Sequence, residues 1–293
     1  MNLTSPSQVK AWCIENGFHP NKVLGQNFLI DRNALTSIVD AGLNGLQGPD
    51  GLSGLEVLEI GPGLGVLTEE MLRRGVRVTA IEKDPVLAAR LKGSLGDPEG
   101  LTVIAGDALD WIARSNASTP EYANAGFSCM VSNLPYQAGT RILLDLVRMR
   151  RIPQMTVLVQ TEVAERLAAG PGSKARGLAG VWAQLDYDVK IVRKVSASCF
   201  WPRPEIGSSV VTLRRHERNV AVSDVERALF CQLTKRAFEH RRKQLGSIFK
   251  DLIQSTARAE ELSNEDWVAL ARDLVATGTI TLETRKVEDH ANA

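Results

Sequence analysis

The sequence is poor in the residues that build redox and metal centres, with four cysteines and four histidines in 293 residues. Cys13, Cys129, Cys199 and Cys231 never form a CxxC pair, so neither a disulfide framework nor a zinc cluster is signalled, and they read as reduced packing residues. His19, His216, His240 and His290 show no HExxH or similar ligand spacing, and no metal is expected. Also missing is any apolar run near the ~18 to 20 residues that cross a bilayer. The amino terminus lacks a basic stretch followed by an apolar one. No membrane partner is implied, and a cytoplasmic monomer is expected.

What remains is ordinary for a soluble globular protein: 44% hydrophobic and 24% charged residues, which excludes disordered and fibrous classes. The length suits one large domain, or a large one with a smaller companion. The net charge is only +1, but it is unevenly spread. Residues 1–192 carry −2, residues 193–250 carry +8 and residues 251–293 carry −5. A basic block inside a neutral chain is the footprint of a phosphate-rich partner, or else a solvated charged face.

From residue 55 to 160, short runs rich in Val, Ile and Leu alternate with amphipathic segments, predicting an α/β domain with a mostly parallel sheet. Strands are expected at 55–60, 76–82, 101–106, 127–133 and 155–160. Helices are expected between them, one closed by Gly75 and one opened by Asp84 and Pro85. Two more helices precede the first strand, the second capped by Asp31. Residues 46–54 and 115–126, dense in turn formers, read as loops. Further strands follow in YDVKIVRKV and SSVVTLRR, and near 216–224 the pattern turns helical, with Ser223 as a cap. The expected division is a domain over 1–218 and a helical one over 219–293.

Chemistry concentrates at the expected carboxyl ends of strands. LEIGPGLGVLT places Gly61, Gly63 and Gly65 between the first strand and a helix, where a ligand can approach the backbone. A dinucleotide fingerprint needs a small third residue, and that position is Val66. The GxGxG spacing favours S-adenosylmethionine over NAD; a tight turn without a ligand is the simpler alternative. Glu82 ends the second strand, where a carboxylate can accept both ribose hydroxyls. Asp107 follows the third, placed for an adenine amino group, and Glu59 could face an ammonium. Singly, each acid is more often a helix cap. In a doubly wound sheet, all of them would line one crevice.

The fourth strand ends in SNLPYQ. An exocyclic adenine amine is a poor nucleophile because its lone pair is delocalised into the ring. The Asn133 side-chain oxygen and the Leu134 carbonyl, turned outward by Pro135, could accept its protons, and Tyr136 could stack on the base. The base would then have left its own stack.

At this point the sequence resembles the ribosomal RNA adenine dimethyltransferases, above all the bacterial members that dimethylate two adjacent adenosines near the 3′ end of 16S rRNA. The likeness runs from about residue 22 to 250 through VLGQNFLID, LEIGPGLGVLT, AIEKD, GDA, NLPY, VLVQTEVAERL, CFWPRPEIGSSVV and FEHRRKQL. It implies a Rossmann-like methyltransferase fold with a small carboxy-terminal helical domain that seats on 16S rRNA of the 30S subunit or its precursor. It implies S-adenosylmethionine held by Asn27, Leu29, Gly61, Glu82, Asp107 and Asn133. It also implies catalysis by Asn133, Leu134 and Tyr136, with Phe200 flanking the target base. Arg241, Arg242 and Lys243 become candidate rRNA contacts, within about two helical turns of Arg236, joined by Arg214 and Arg215; pairing with the acidic tail is the alternative. The chain departs from the family pattern at Gln137-Ala138-Gly139 and at Gly207, both bearing on the shape of the target pocket. Within the same chemistry the rival is the 23S rRNA adenine methylase of macrolide resistance. A nonenzymatic ribosome-assembly factor is the rival of another class.

Overall fold

The computed structural model describes residues 1–21, 23–48, 50–116, 126–218 and 221–278, so the loop expected at 115–126 lies largely outside the described residues. The described residues form two compact units, one within Met1–Ala168 and Asp186–His216, the other of Ala169–Leu185 with the described residues from Glu217 onward. Against the expected division at 218, residues 169–185 thus join the second unit. Among the described residues no helix is long and apolar enough to cross a membrane, and no group of three or more His, Cys, Asp or Glu could hold a metal ion.

The first unit opens with α1 (Pro6–Glu15), the short β1 (Phe28–Leu29) and α2 (Arg32–Leu43). Asp31 caps α2 as expected, accepting the Ala34 N–H at 2.7 Å. There follow β2 (Glu56–Ile60), α3 (Val66–Arg73), β3 (Arg77–Glu82), α4 (Pro85–Ser94), β4 (Leu101–Ala105), α5 (Ala108–Asn116), β5 (Cys129–Asn133), α6 (Gly139–Met149) and β6 (Gln154–Gln160). After α7 (Thr161–Ala168) and α8 (Leu178–Asp186) the chain returns as β7 (Tyr187–Val195), β8 (Phe200–Trp201) and β9 (Ser208–Arg215). The seven-stranded sheet has the order β4-β3-β2-β5-β6-β9-β7. Its first five strands run parallel, whereas β9 is antiparallel to both β6 and β7. The inner strands are buried nearly end to end, which is why they read as continuous apolar runs. Edge strand β7 instead turns Asp188, Arg193 and Lys194 to solvent, a composition that discourages further strand pairing.

One apolar cluster joins α2 and α3 to β2, β3 and β5 through Ile38, Val39, Met71, Val57, Val78 and Val131. A smaller one fastens the amino-terminal segment, packing Val9, Cys13, Phe18 and Phe28 against Leu64 and Leu87.

The second unit is helical, with α8, α9 (Asp224–Glu239), α10 (Leu245–Phe249) and α11 (Asn264–Ala276) around Phe230, Leu233, Leu245 and Trp267. Ser223 and Ser263 each form a capping box, with Glu226 and Asp266, that fixes the starts of α9 and α11. Arg176, 1% exposed, donates to the Ala169 carbonyl, to Gln184 and to Asn264. These acceptors satisfy most of a guanidinium that burial would otherwise penalise.

The structure corrects the expectation that HRRKQL continues a helix. α9 stops at Glu239; the His240 N–H bonds the Ala237 carbonyl, the Lys243 N–H bonds the His240 carbonyl, and the chain turns before α10.

Candidate active site

The order of the sheet reverses between β2 and β5, the place where doubly wound sheets bind ligands beyond the strand ends. These two strands pair only at Val57–Cys129 and Leu58–Met130. Beyond that ladder the Ser132 hydroxyl, not a backbone carbonyl, accepts the Ile60 N–H at 2.9 Å. There a cavity of about 190 Å³ lies over the carboxyl ends of β2, β3, β4 and β5.

Its floor is the glycine turn. Gly61, Gly63 and Gly65 have φ of 67°, 58° and 89°, in the left-handed region that side chains with a Cβ rarely enter. At Gly63 a Cβ would also come within 3.1 Å of the Phe28 ring. The turn is held by Glu82 of β3, whose Oε2 accepts the Gly63 N–H at 3.0 Å while Oε1 accepts the Asp84 N–H at 2.8 Å. Burial raises the Glu82 carboxyl above its ordinary pKa, and these backbone donors oppose the rise. Each carboxylate oxygen keeps a further lone-pair direction for a ligand hydroxyl.

Two more acids complete this wall. Glu59 of β2, 1% exposed, accepts the Thr68 hydroxyl at 2.6 Å; burial, reinforced by the nearby Glu82 charge, pushes its pKa up to about 8. Asp107, just past β4, accepts the Leu109 N–H at 2.8 Å on Oδ1 and pairs through Oδ2 with the Lys83 ammonium at 2.7 Å. Burial disfavours its charge, but the Lys83 and Leu109 hydrogen bonds and the Lys83 and Arg141 charges hold its carboxyl below the usual range.

The opposite wall is Asn133-Leu134-Pro135-Tyr136. The Asn133 Nδ2 donates to the Asn27 carbonyl at 3.1 Å. A carbonyl can only accept, so the amide nitrogen must face Asn27 and Oδ1 is the atom turned away from it. The Leu134 N–H bonds the Leu158 carbonyl at 3.2 Å, and the Pro135 carbonyl takes the Gly139 N–H at 2.7 Å, which starts α6. Tyr136 is fixed at its far end by a 2.8 Å hydrogen bond between its hydroxyl and buried Ser208. Gly139, one of the departures from the family pattern, leaves no slack: a Cβ there would lie 3.0 Å from the Leu134 Cβ. At the other departure, the Gly207 carbonyl accepts the Thr161 N–H at 3.1 Å.

The cavity thus brings together Asn27, Leu29, Gly61, Glu82, Asp107, Asn133, Leu134 and Tyr136, drawn from stretches far apart in the chain. It does not include Phe200, and the structure corrects that placement. Phe200 pairs with Leu29, is 2% exposed and packs into the main core, while the next side chain, Trp201, stacks on Phe28. The basic residues divide between the two units. In the second unit, Arg241 donates to the Lys174 carbonyl at 2.6 Å and pairs with Glu260 at 3.5 Å, and Arg236 sits over the Phe249 ring. In the first unit, Arg214 and Arg215 donate to the Asn44 and Arg150 carbonyls. Arg242 and Lys243 are exposed, and their side chains bond none of the described residues.

Three contributors escape a sequence reading. Gln26 joins the amino-terminal segment to α4, its Nε2 donating to Asp84 at 2.8 Å and its Oε1 accepting the Asn21 N–H at 2.7 Å. Its signal was its place beside Asn27. Lys83 carries only its adjacency to Glu82. Ser208, which anchors Tyr136 across 72 residues, carries none.

A cavity with a buried carboxylate in reach of a glycine turn, a second acid one strand away and paired acceptors opposite can hold a nucleoside on one side and an amine on the other. The chain matches the family described as ribosomal RNA adenine dimethylase over residues 17–275. It is 44% identical over 215 residues to the ribosomal RNA small subunit methyltransferase A of Deinococcus radiodurans, covering 72% of this chain and 67% of that one. To the protein of the same name from Bifidobacterium longum (strain NCC 2705) it is 33% identical, covering 94% and 95%. Among solved structures, a dimethyladenosine transferase from Plasmodium falciparum superposes with a TM-score of 0.71 at 22% identity, covering 85% of this chain and 98% of that one. The 23S rRNA methyltransferase ErmE does so at 0.64 and 23%, covering 85% and 100%; both likenesses concern the fold.

Proposed function

The chain belongs to the ribosomal RNA adenine dimethylase family, and from that premise we propose that it uses S-adenosylmethionine to convert two adjacent adenosines near the 3′ end of 16S rRNA to N6,N6-dimethyladenosine. The substrate would be the 30S subunit or its precursor, in the cytoplasm. The observation that carries this reading is the Asn133 amide, held by the Asn27 carbonyl with its oxygen directed away, next to the Leu134 carbonyl and Tyr136.

The residues present fit the cofactor. Glu82 would accept the ribose hydroxyls, Asp107 the adenine amine and Glu59 the ammonium, while the glycine turn lets the ligand lie against backbone; Asn27 and Leu29 would complete the wall. When bound, S-adenosylmethionine supplies a methyl group on a sulfonium. The protein's part is to ready the amine. Asn133 Oδ1 and the Leu134 carbonyl accept hydrogen bonds from its N–H groups, two in the first transfer and one in the second, drawing the nitrogen towards tetrahedral geometry so that its lone pair is released from the ring, and one proton leaves to solvent after each transfer. These acceptors are held before the reaction begins, which lowers the barrier without later reorganisation. Tyr136, pinned by Ser208, offers its ring face to a base removed from its stack. Arg242 and Lys243 would meet rRNA phosphates, which position the enzyme without reading sequence. The preference for the small subunit rests on the relatives at 33–44% identity.

The test is to supply labelled S-adenosylmethionine with undermethylated 30S particles, 50S particles and naked DNA, then digest and identify the labelled nucleoside. Dimethyladenosine in 30S alone is expected. Label in 50S instead would point to the 23S type, and 30S binding without transfer to an assembly factor.

A further inference from the structure

Lys83 follows the acid expected to hold the ribose, and Asp107 is expected to meet the adenine amine. Lys83 lies just past β3 and Asp107 just past β4, so the lysine side chain reaches from one strand end to the next, and both residues line the cavity. The Lys83 ammonium stands 2.7 Å from Asp107 Oδ2, and the side chains are 60% and 27% exposed. As a bare surface ion pair this would contribute little. Its setting differs: Asp107 Oδ1 already accepts the Leu109 N–H at 2.8 Å, so Lys83 supplies the second fastening that fixes the carboxylate plane. A lysine stem can also cover apolar surface while its head stays in water. The ionised Asp107 carboxylate can only accept, which suits the amine of adenine. The 6-oxo purine edge carries an acceptor in that place.

We propose that Lys83 is a positioning residue for purine selection: it straps the adenine end of the cofactor cavity, its stem forming a wall and its ammonium aligning Asp107 on the amine. The proposal rests on the cofactor reading above. The charged groups that act on Asp107 are Lys83, just past β3, and Arg141 from α6, so loss of the lysine leaves Arg141 as the remaining cation.

The experiment titrates the full chain calorimetrically with S-adenosylhomocysteine and with its inosine analogue, from neutral pH downwards, for wild type, Lys83→Met, Lys83→Ala and Lys83→Arg, with melting temperature as a folding control. Wild type is expected to prefer the adenine ligand, and the preference to fall as Asp107 protonates. Lys83→Met should weaken adenine-ligand binding by about three- to tenfold and move the pH at which the preference is half lost upward. Lys83→Ala should weaken binding of both ligands further, through loss of the stem, and Lys83→Arg should restore the midpoint. If Lys83→Met binds with unchanged or greater affinity and an unmoved midpoint, the strap is overturned while the cofactor reading stands. If wild type binds neither ligand, that reading falls and takes the proposal with it.

Discussion

Glu59 offers a sharp test of the cofactor's orientation, because its carboxyl is pushed up to about 8 by burial and by the neighbouring Glu82 charge. At pH 6.5 such a group is about 97% protonated in the free protein. An ammonium brought within a few ångströms lowers a carboxyl pKa by roughly 1 to 3 units, and a fall of 2 to 3 units would release about 0.7 to 0.9 proton per ligand bound. At that pH the ligand's own α-amino group, with an ordinary pKa near 7.7 to 8.0, is almost fully charged and contributes little. Isothermal titration of S-adenosylmethionine at pH 6.5 in buffers of small and large ionisation enthalpy reads this number as the slope of observed heat against buffer heat. Affinity should rise with pH across the same window, since the deprotonated form binds better. Glu59→Gln removes the titrating proton while keeping the shape and an acceptor for Thr68, so its slope should be close to zero. A wild-type heat independent of buffer, with binding intact, would refute the placement of Glu59 against the ammonium. The sign also holds for folding: because the folded pKa is raised, the stability linked to Glu59 is fully present below about 4.5 and is lost as pH rises through about 8. Glu59→Gln should flatten that decline in a denaturant titration.

Two further outcomes separate chemistry from docking. Asn133→Ala, assayed at saturating S-adenosylmethionine, should lose turnover by about a hundredfold or more while 30S affinity stays near wild type, because the amide acts on the amine in the transition state; near-wild-type turnover would reject the mechanism. Arg242→Ala with Lys243→Ala should weaken 30S binding and reduce its logarithmic salt slope by about 1.4 to 1.8 with no change in cofactor affinity. Arg241→Ala, by contrast, should lower the melting temperature, because Arg241 is tied to Lys174 and Glu260.

The parallel strands were legible because they are buried on both faces, so composition alone marks them, and β7 and β9 matched YDVKIVRKV and SSVVTLRR. Helices α7 and α8 were not foreseen. α7 begins at the residue after β6, and α8 runs directly into β7 at Asp186–Tyr187, without a glycine or proline to mark either change. α8 is also largely apolar, so it shows no clear helical period. HRRKQL failed for the opposite reason: its composition suits a helix, and only the backbone bonds at His240 and Lys243 show the turn. In the site, the glycines and acids could be read because each sits at a strand end. Phe200 could not, since strand geometry sends successive side chains to opposite faces and only the pairing with β1 decides which is buried. Lys83 and Ser208 act across strands, and such contacts have no local signature.

The division of the chain has a consequence for how the protein can be taken apart and made. It leaves the sheet-bearing unit after Ala168, returns at Asp186 and leaves again after His216, so no single cut separates the units. A chain ending near residue 216 would retain Val181 and Leu185, which are buried against Phe230, Leu233 and Trp267, with nothing left to cover them. Excising residues 169–185 as well would require a new link from α7 to β7. During synthesis the order is the same. β7 and β9 can complete the sheet once residue 215 has emerged, while α8 waits, apolar side out, for helices encoded after it. In the interval between those two events apolar side chains of α8 stand uncovered, a condition that favours aggregation.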